Sequence, residues 1–297
     1  MSNFTQAEYS KTTQDEFRAA VIQTYKDNSP FIDALTYQSI TGGTVTFNRE
    51  LTLPTGVGFR EVDGEYTSSQ GEVEPVTEAL KIAGGRTTVD RAILKMYGPA
   101  RLATDLQMQV SGLARKLNAA IFKGDGLLGA FTGLQTRIQA GETIVNGDAA
   151  LSLAKMRQAY LDCKGNKKAF FMGEGMYSRL WAAYDAGTLQ NIVFGTDDFG
   201  KPVATFAGVP LILAGEDADR SQVLDFSETN STTSIYCVSL DEVDGVVGIQ
   251  NSELETLPMT EVSVVKAWDI EWLNNFMIQT AASAIRISGI TDAAVTA

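Results

Sequence analysis

The sequence predicts an α+β fold, and three observations carry that expectation. One 24-residue stretch from Pro99 repeats apolar residues at helical spacing. Apolar and polar residues alternate at strand period near both ends of the chain. Between the first strand and the long helix, 22 residues from Pro54 to Pro75 hold too few apolar groups to close over a core of their own.

The elements follow in order. Residues 1–11 are polar with isolated Phe4 and Tyr9 and read as an arm. Thr13 is placed to cap a short helix through Phe17, Val21, Ile22 and Tyr25, with acidic groups in its first turn. Pro30 opens a second helical stretch through Phe31, Ile32, Leu35 and Tyr37, which Gly42-Gly43 ends. From Thr44 the residues alternate, with Val45, Phe47, Leu51 and Leu53 in one phase, as a half-buried strand requires.

Pro54–Pro75 contains four glycines, six charged groups and only Val57, Phe59, Val62, Tyr66 and Val73 as large apolar or aromatic side chains. Beyond it Val76, Leu80 and Ile82 share a two-residue phase that Glu78 interrupts. Gly84-Gly85 then reads as a break before Val89, Ile93 and Leu94 resume the pattern. A two-stranded projection of this kind is marginal alone and leaves unpaired edges, so its expected partner is another copy of the chain.

Leu102, Leu106, Val110, Leu113, Leu117, Ala120 and Ile121 then line one face of a helix roughly 36 Å long that stops at Gly124 and Gly126. Thr143–Val145 reads as a strand, and Asp148 as the cap of a helix carrying Leu153, Met156, Tyr160 and Cys163. A strand at Ala169–Met172, a helix around Met176 and Leu180, and strands at Val209–Ala214 and Ile235–Val238 make an α/β region. Val262/Val264 and Ile285/Ile287, with Trp272, Phe276 and Ile278 between them, suggest long returning antiparallel strands.

Composition excludes several functions. The chain has 36 acidic and 24 basic side chains, a net charge of −12, which disfavours sequence-independent binding to a phosphate backbone. There is no histidine, which removes imidazole-based triads, metal sites and proton shuttles. Cys163 and Cys237 are the only cysteines, 74 residues apart, so neither a CxxC pair nor a disulfide framework is expected. No export signal and no membrane-spanning stretch is apparent, so folding inside the cell is the expectation.

Gly124-Asp125-Gly126-Leu127-Leu128-Gly129 spells GxGxxG, but a helix precedes it where a dinucleotide site needs a strand. Gly195 to Pro202 approaches a phosphate-binding loop. Pro202 stands where a hydroxyl would hold magnesium, and Asp197 and Asp198 would repel the anion. Asp217/Asp219, Asp241/Asp244 and Glu72/Glu74 lack calcium-loop spacing and read as solvated acidic loops. No catalytic residue, metal ligand or cofactor is expected.

This order of elements resembles the major capsid proteins of tailed bacteriophages, with the Hong-Kong-97-type fold. Phe59-Arg60-Glu61-Val62-Asp63-Gly64-Glu65-Tyr66 followed by Val73-Glu74-Pro75-Val76-Thr77-Glu78 is similar to the extended loop of that family. Leu117 to Gly126 with Phe131-Thr132-Gly133-Leu134 is similar to the end of its spine helix and the turn after it. Phe206-Ala207-Gly208-Val209-Pro210-Leu211 is similar to a strand entry of its axial domain.

The resemblance implies an N-terminal arm and short helices over 1–43, an extended β-hairpin loop with flanking strands over 44–98, and the spine helix and peripheral domain over 99–150. An axial domain over 151–258 and returning peripheral strands over 259–297 complete it. It implies a homo-oligomer of pentamers and hexamers in an icosahedral shell around packaged double-stranded DNA, assembled in the host bacterial cytoplasm. The arm and loop would lie across neighbours, with Phe4, Tyr9, Phe59, Arg60 and Tyr66 as contact candidates. A short arm starting at Met1 implies a separate scaffold protein beside a portal. Lys81 is the sole loop lysine for a covalent link, and no link is expected. An encapsulin shell around cargo enzymes is one alternative, and a nucleotide-dependent enzyme resting on the glycine motifs is another.

Overall fold

A computed structural model describes residues 29–97, 99–127, 129–187, 192–196, 202–258 and 264–296. The expected arm, the helix after Thr13 and the candidates Phe4 and Tyr9 lie outside the described residues, as does most of the 195–202 motif.

Helix α1 (Pro30–Ala34) is shorter than the sequence suggests. Leu35 turns to extended backbone, and Tyr37 falls on strand β1 (Tyr37–Ser39), which pairs in parallel with β11 (Val246–Gln250). Strands β2 (Thr44–Thr52) and β3 (Glu72–Ala79) form a two-stranded antiparallel sheet, the projecting hairpin. Strand β4 (Lys81–Asp90) then pairs with β13 (Val265–Ile278) over ten registered positions, from Lys81 with Asn274 to Asp90 with Val265.

Gly84-Gly85 therefore does not break the pattern. Both glycines lie within β4, and a side chain at Gly84 would run into the carbonyl of Ile270, so close approach of two backbones uses the residue that local propensity reads as a stop. Ile93 and Leu94, expected to resume the strand, sit on helix α2 (Arg91–Tyr97).

The expected long helix is α3 (Pro99–Lys123). Leu106, Val110, Ala114, Leu117 and Ile121 are buried, one every three or four residues, while Met108 on the opposite side is exposed. Its last turn passes into Gly124, whose amide donates to Ala120 O, and Gly126 turns the chain at φ +75°.

Helix α4 (Leu134–Arg137) and a 3-10 turn (Ala140–Glu142) lead into strand β5 (Thr143–Ala149). Ser152, not Asp148, caps helix α5 (Leu153–Asp162): its hydroxyl accepts from Ala154 N, whereas Asp148 lies at the end of β5 and accepts from Asn230 Nδ2. Asp148 lies four positions before Ser152, and only the nearer residue can reach the first free amides. Then come β6 (Lys168–Met172), α6 (Glu174–Asp185), β7 (Ile192–Thr196), β8 (Pro202–Phe206), β9 (Val209–Leu213), β10 (Thr232–Ser239), β12 (Glu255–Pro258) and β14 (Ala284–Thr291).

Two larger sheets result. In the five-stranded one β13 is the hub, pairing with β4, β11 and β12. The seven-stranded one runs β5-β14-β10-β6-β9-β8-β7. The strands after residue 258 were expected to return together; instead they divide, β13 to the first sheet and β14 to the second. Likewise β11 and β12, within the expected axial segment, belong to the five-stranded sheet with β4. Hydrophobic alternation marks these segments as strands without naming their neighbours, so that division is invisible in sequence.

Both faces of the seven-stranded sheet are covered. Phe170, Met172, Ile235, Cys237, Ile285 and Ile287 face helices α5 and α6. On the other side Phe171 and Tyr236 meet Phe31 of α1 and Phe122 of α3, with ring centroids 4.8 to 5.9 Å apart. This aromatic cluster ties the end of the long helix to the sheet.

Candidate functional site

The hairpin divides into a base that the body holds and a tip that it does not. At the base, Val45 and Phe47 of β2, with Ile40 and Leu80, pack on Val247, Ile249 and Met277. Across the two strands the hydroxyls of Thr46 and Thr77 lie 2.9 Å apart, and Arg49 Nη2 donates to Ile278 O at 2.6 Å.

Glu78, the residue that interrupts the apolar phase of β3, accepts from Arg137 Nη1 at 2.8 Å and from Asn275 Nδ2 at 3.2 Å. Arg137 also donates to Thr132 O, Phe276 O and Asn275 Oδ1, and its guanidinium lies 4.3 Å from the Phe276 ring centroid. The Arg137 and Glu78 side chains are only 13% and 20% exposed. Burial lowers the proton affinity of this guanidinium, and the charge and hydrogen bond of Glu78 oppose that change. The chain thus fastens β3 to β13 with a part-buried ion pair.

Past the bulge between Glu50 and Thr52 no such fastening exists among the described residues. The tip is shaped from within. Gly56 N donates to Ser69 Oγ at 2.7 Å, and Gly64 N to Glu61 O at 3.1 Å around Asp63, whose φ is +69°. Arg60 lies 5.4 Å from the Tyr66 ring centroid and donates to Glu61 O and Gly64 O. The structure therefore brings Arg60 and Tyr66 together. Phe59 stands apart, fully exposed, and Leu53, Val57 and Val62 are more than 70% exposed. Burying a side chain of this size contributes roughly 1.5–3 kcal/mol, a gain the subunit alone leaves unused.

Five acidic groups against Arg60 make residues 54–75 an anionic finger. Sequence reasoning found the tip and missed the fastening. The signal was present: Glu78 and Arg49 each sit in the buried phase of their strand, where a charged residue requires a partner.

The remaining motifs do not form sites. Gly124 and Gly133 approach each other through a 2.8 Å backbone hydrogen bond directly after α3, and side chains there would meet backbone on several sides, so these glycines close a turn. Asp219 accepts from the hydroxyl and the amide of Ser221, which holds its carboxyl below the usual range in an exposed turn. Among the described residues no group of three or more His, Cys, Asp or Glu side chains could hold a metal ion, and no helix is long and apolar enough to cross a membrane. Cys163 and Cys237 are both buried and free, and the hydrogen bond with the Cys163 thiol together with burial raises the Cys237 pKa.

No protein-family model and no curated protein sequence matches the chain. Solved structures do. An encapsulin complex from Synechococcus elongatus matches with a TM-score of 0.62 at 14% identity, over 90% of this chain and 89% of that one. The capsid of an empty GTA particle matches with a TM-score of 0.63 at 14% identity, over 90% and 97%. A chain from Mycobacterium phage Bobi matches with a TM-score of 0.60 at 12% identity, over 88% and 90%. At this level of identity the fold is what they share, and the chain has the Hong-Kong-97-type α+β capsid fold.

Proposed function

We propose that the chain is the major capsid protein of a tailed bacteriophage, assembling into an icosahedral head shell around double-stranded DNA. The observation that carries this reading is the hairpin: its base is locked to the body, while its tip presents Leu53, Val57, Phe59 and Val62 to solvent. An exposed apolar set on a preshaped projection suits docking on another copy, and closed symmetry multiplies each modest contact. Function then comes from assembly and not from catalysis.

In this reading the five-stranded sheet, α3 and the hairpin form the peripheral part. The seven-stranded sheet with α5 and α6 forms the axial part that gathers into pentamers and hexamers. A separate scaffold protein and a portal would serve assembly in the host bacterial cytoplasm, and the acidic chain, at net charge −12, would enclose DNA without gripping it. Electron microscopy of the purified full-length protein tests the proposal. Closed shells of uniform size holding nuclease-protected DNA are expected, and a soluble small oligomer with tight, saturable nucleotide binding would refute it.

An encapsulin-type compartment is the second reading, because the encapsulin match is as good as the GTA capsid match, TM-score 0.62 against 0.63. Shells containing enzyme cargo and no DNA would favour it.

A further inference from the structure

The finger offers exposed apolar side chains and negative charge together, and whatever covers it must answer both. Over residues 59–66 Phe59, Val62 and Tyr66 are exposed, and Arg60 stands against Glu61, Asp63 and Glu65. Two such fingers are poor partners for each other, because their like charges would meet. The surface that receives the finger is therefore a different one, cationic as well as apolar.

Helix α2 is such a surface. None of its residues is buried: Met96 and Tyr97 are 68% and 71% exposed, and Ile93 is 38% exposed. A helix this short holds its shape only through contacts, and this one rests on α3 and β4 while these apolar groups reach solvent. From Arg91 to Thr104 the chain carries three basic residues and no acidic one, in a molecule of net charge −12. Two of the three, Arg91 and Lys95, are exposed on α2. Other exposed patches meet one requirement and fail the other. On the outer face of the five-stranded sheet Ile82 and Leu257 are exposed, but Glu255 and Glu271 stand directly opposite each other on that face. Residues 164–168 carry three lysines with only glycine and asparagine between them. On α6 Trp181 and Tyr184 are exposed beside Asp185, and Arg179 is already bound to Asp292.

We propose that the finger of one copy docks on helix α2 of the next, with Phe59 and Val62 against Met96 and Tyr97 and with Glu61 and Glu65 facing Arg91 and Lys95. This rests on the shell reading for its partner, a second copy of the chain, and names the surface that the finger reaches. Both patches are exposed within one chain, so the contact is between copies. Each copy gives a finger and receives one. A head-to-tail contact of this kind builds a ring when its rotation closes. Apolar burial supplies the affinity, and the charges select partner and register.

Complementation in trans tests the contact, read by sedimentation velocity on the full-length chain. Arg91→Glu with Lys95→Glu makes the helix negative, and Glu61→Lys with Glu65→Lys makes residues 59–66 positive. Each variant alone sets like charge against like, and is expected to associate at least about tenfold more weakly than the parent. In an equal mixture each finger meets the other variant's helix with opposite charge, and association is expected to return to within about threefold of the parent. Met96→Ser with Tyr97→Ser leaves the charges alone and is also expected to weaken association at least about tenfold. Circular dichroism checks each fold, and if a charge variant does not fold, the serine variant decides. Variants that associate like the parent, or a mixture as weak as its components, would overturn the proposal. A parent that builds shells which the variants build equally well refutes the finger–helix contact alone. A parent that stops at small rings with the expected pattern across variants supports the contact and refutes the shell, and a parent with no self-association refutes both.

Discussion

Glu78 and Arg137 show how two residues set the geometry of a much larger part. Removing the arginine leaves a carboxylate in a part-buried place with Asn275 as its remaining partner, and breaking such a pair costs about 3–5 kcal/mol. Arg137→Met is therefore expected to lower the midpoint of urea unfolding and to raise amide exchange in β2 and β3; an unchanged midpoint would show that the pair does not fasten the hairpin. Exposed charges behave differently. Asp269 hydrogen-bonds Arg86, Asp292 hydrogen-bonds Arg179 and Asp219 hydrogen-bonds Ser221, and each partner holds its carboxyl below the ordinary value. A depressed folded pKa stabilises the folded state above the unfolded value, roughly pH 3.9, and that contribution disappears as pH falls through the lowered value. Thermal unfolding followed from pH 5 down to about pH 2 should show a falling midpoint, and a flat profile over that window would contradict this assignment. With no histidine in the chain, no imidazole titration is expected to alter stability between about pH 5 and 8.

Among the elements, the hairpin separates folding from assembly within one pair of strands. Phe47 at its base packs on Val247, Ile249 and Met277, so Phe47→Ala is expected to cost about 2 kcal/mol of stability. Phe59 at its tip touches nothing that burial would register, so Phe59→Ser should stay within about 0.5 kcal/mol of the parent in unfolding while reducing the yield of closed particles. Reversed effects would exchange the roles of base and tip. The tip was readable in sequence because a long acidic, glycine-rich stretch cannot hide its lack of a core. Helix α3 was readable because its apolar stripe runs unbroken from Leu106 to Ile121. By contrast β1 and β12, three and four residues long, are too short for a period to emerge. Gly84-Gly85 misled for another reason: pairing with β13 overrode local propensity, which is the commonest way that tertiary context defeats a local rule.

For the whole molecule, the aromatic cluster of Phe31, Phe122, Phe171 and Tyr236 joins α1, the long helix and the seven-stranded sheet, while β13 gathers the five-stranded sheet and receives the hairpin base through Asn275, Phe276 and Ile278. Sequence showed that there were long strands near the C-terminus but not that β13 and β14 serve different sheets, since pairing is settled by contacts distant along the chain. What such a body leaves uncovered is the finger over residues 53–71, and the account requires a second copy to cover it. Hydrogen exchange of that segment, measured on the dispersed chain and on assembled particles, is the most direct test. Amides there should exchange freely in the dispersed chain and at least about tenfold more slowly in particles. Equal exchange in the two forms would contradict the account.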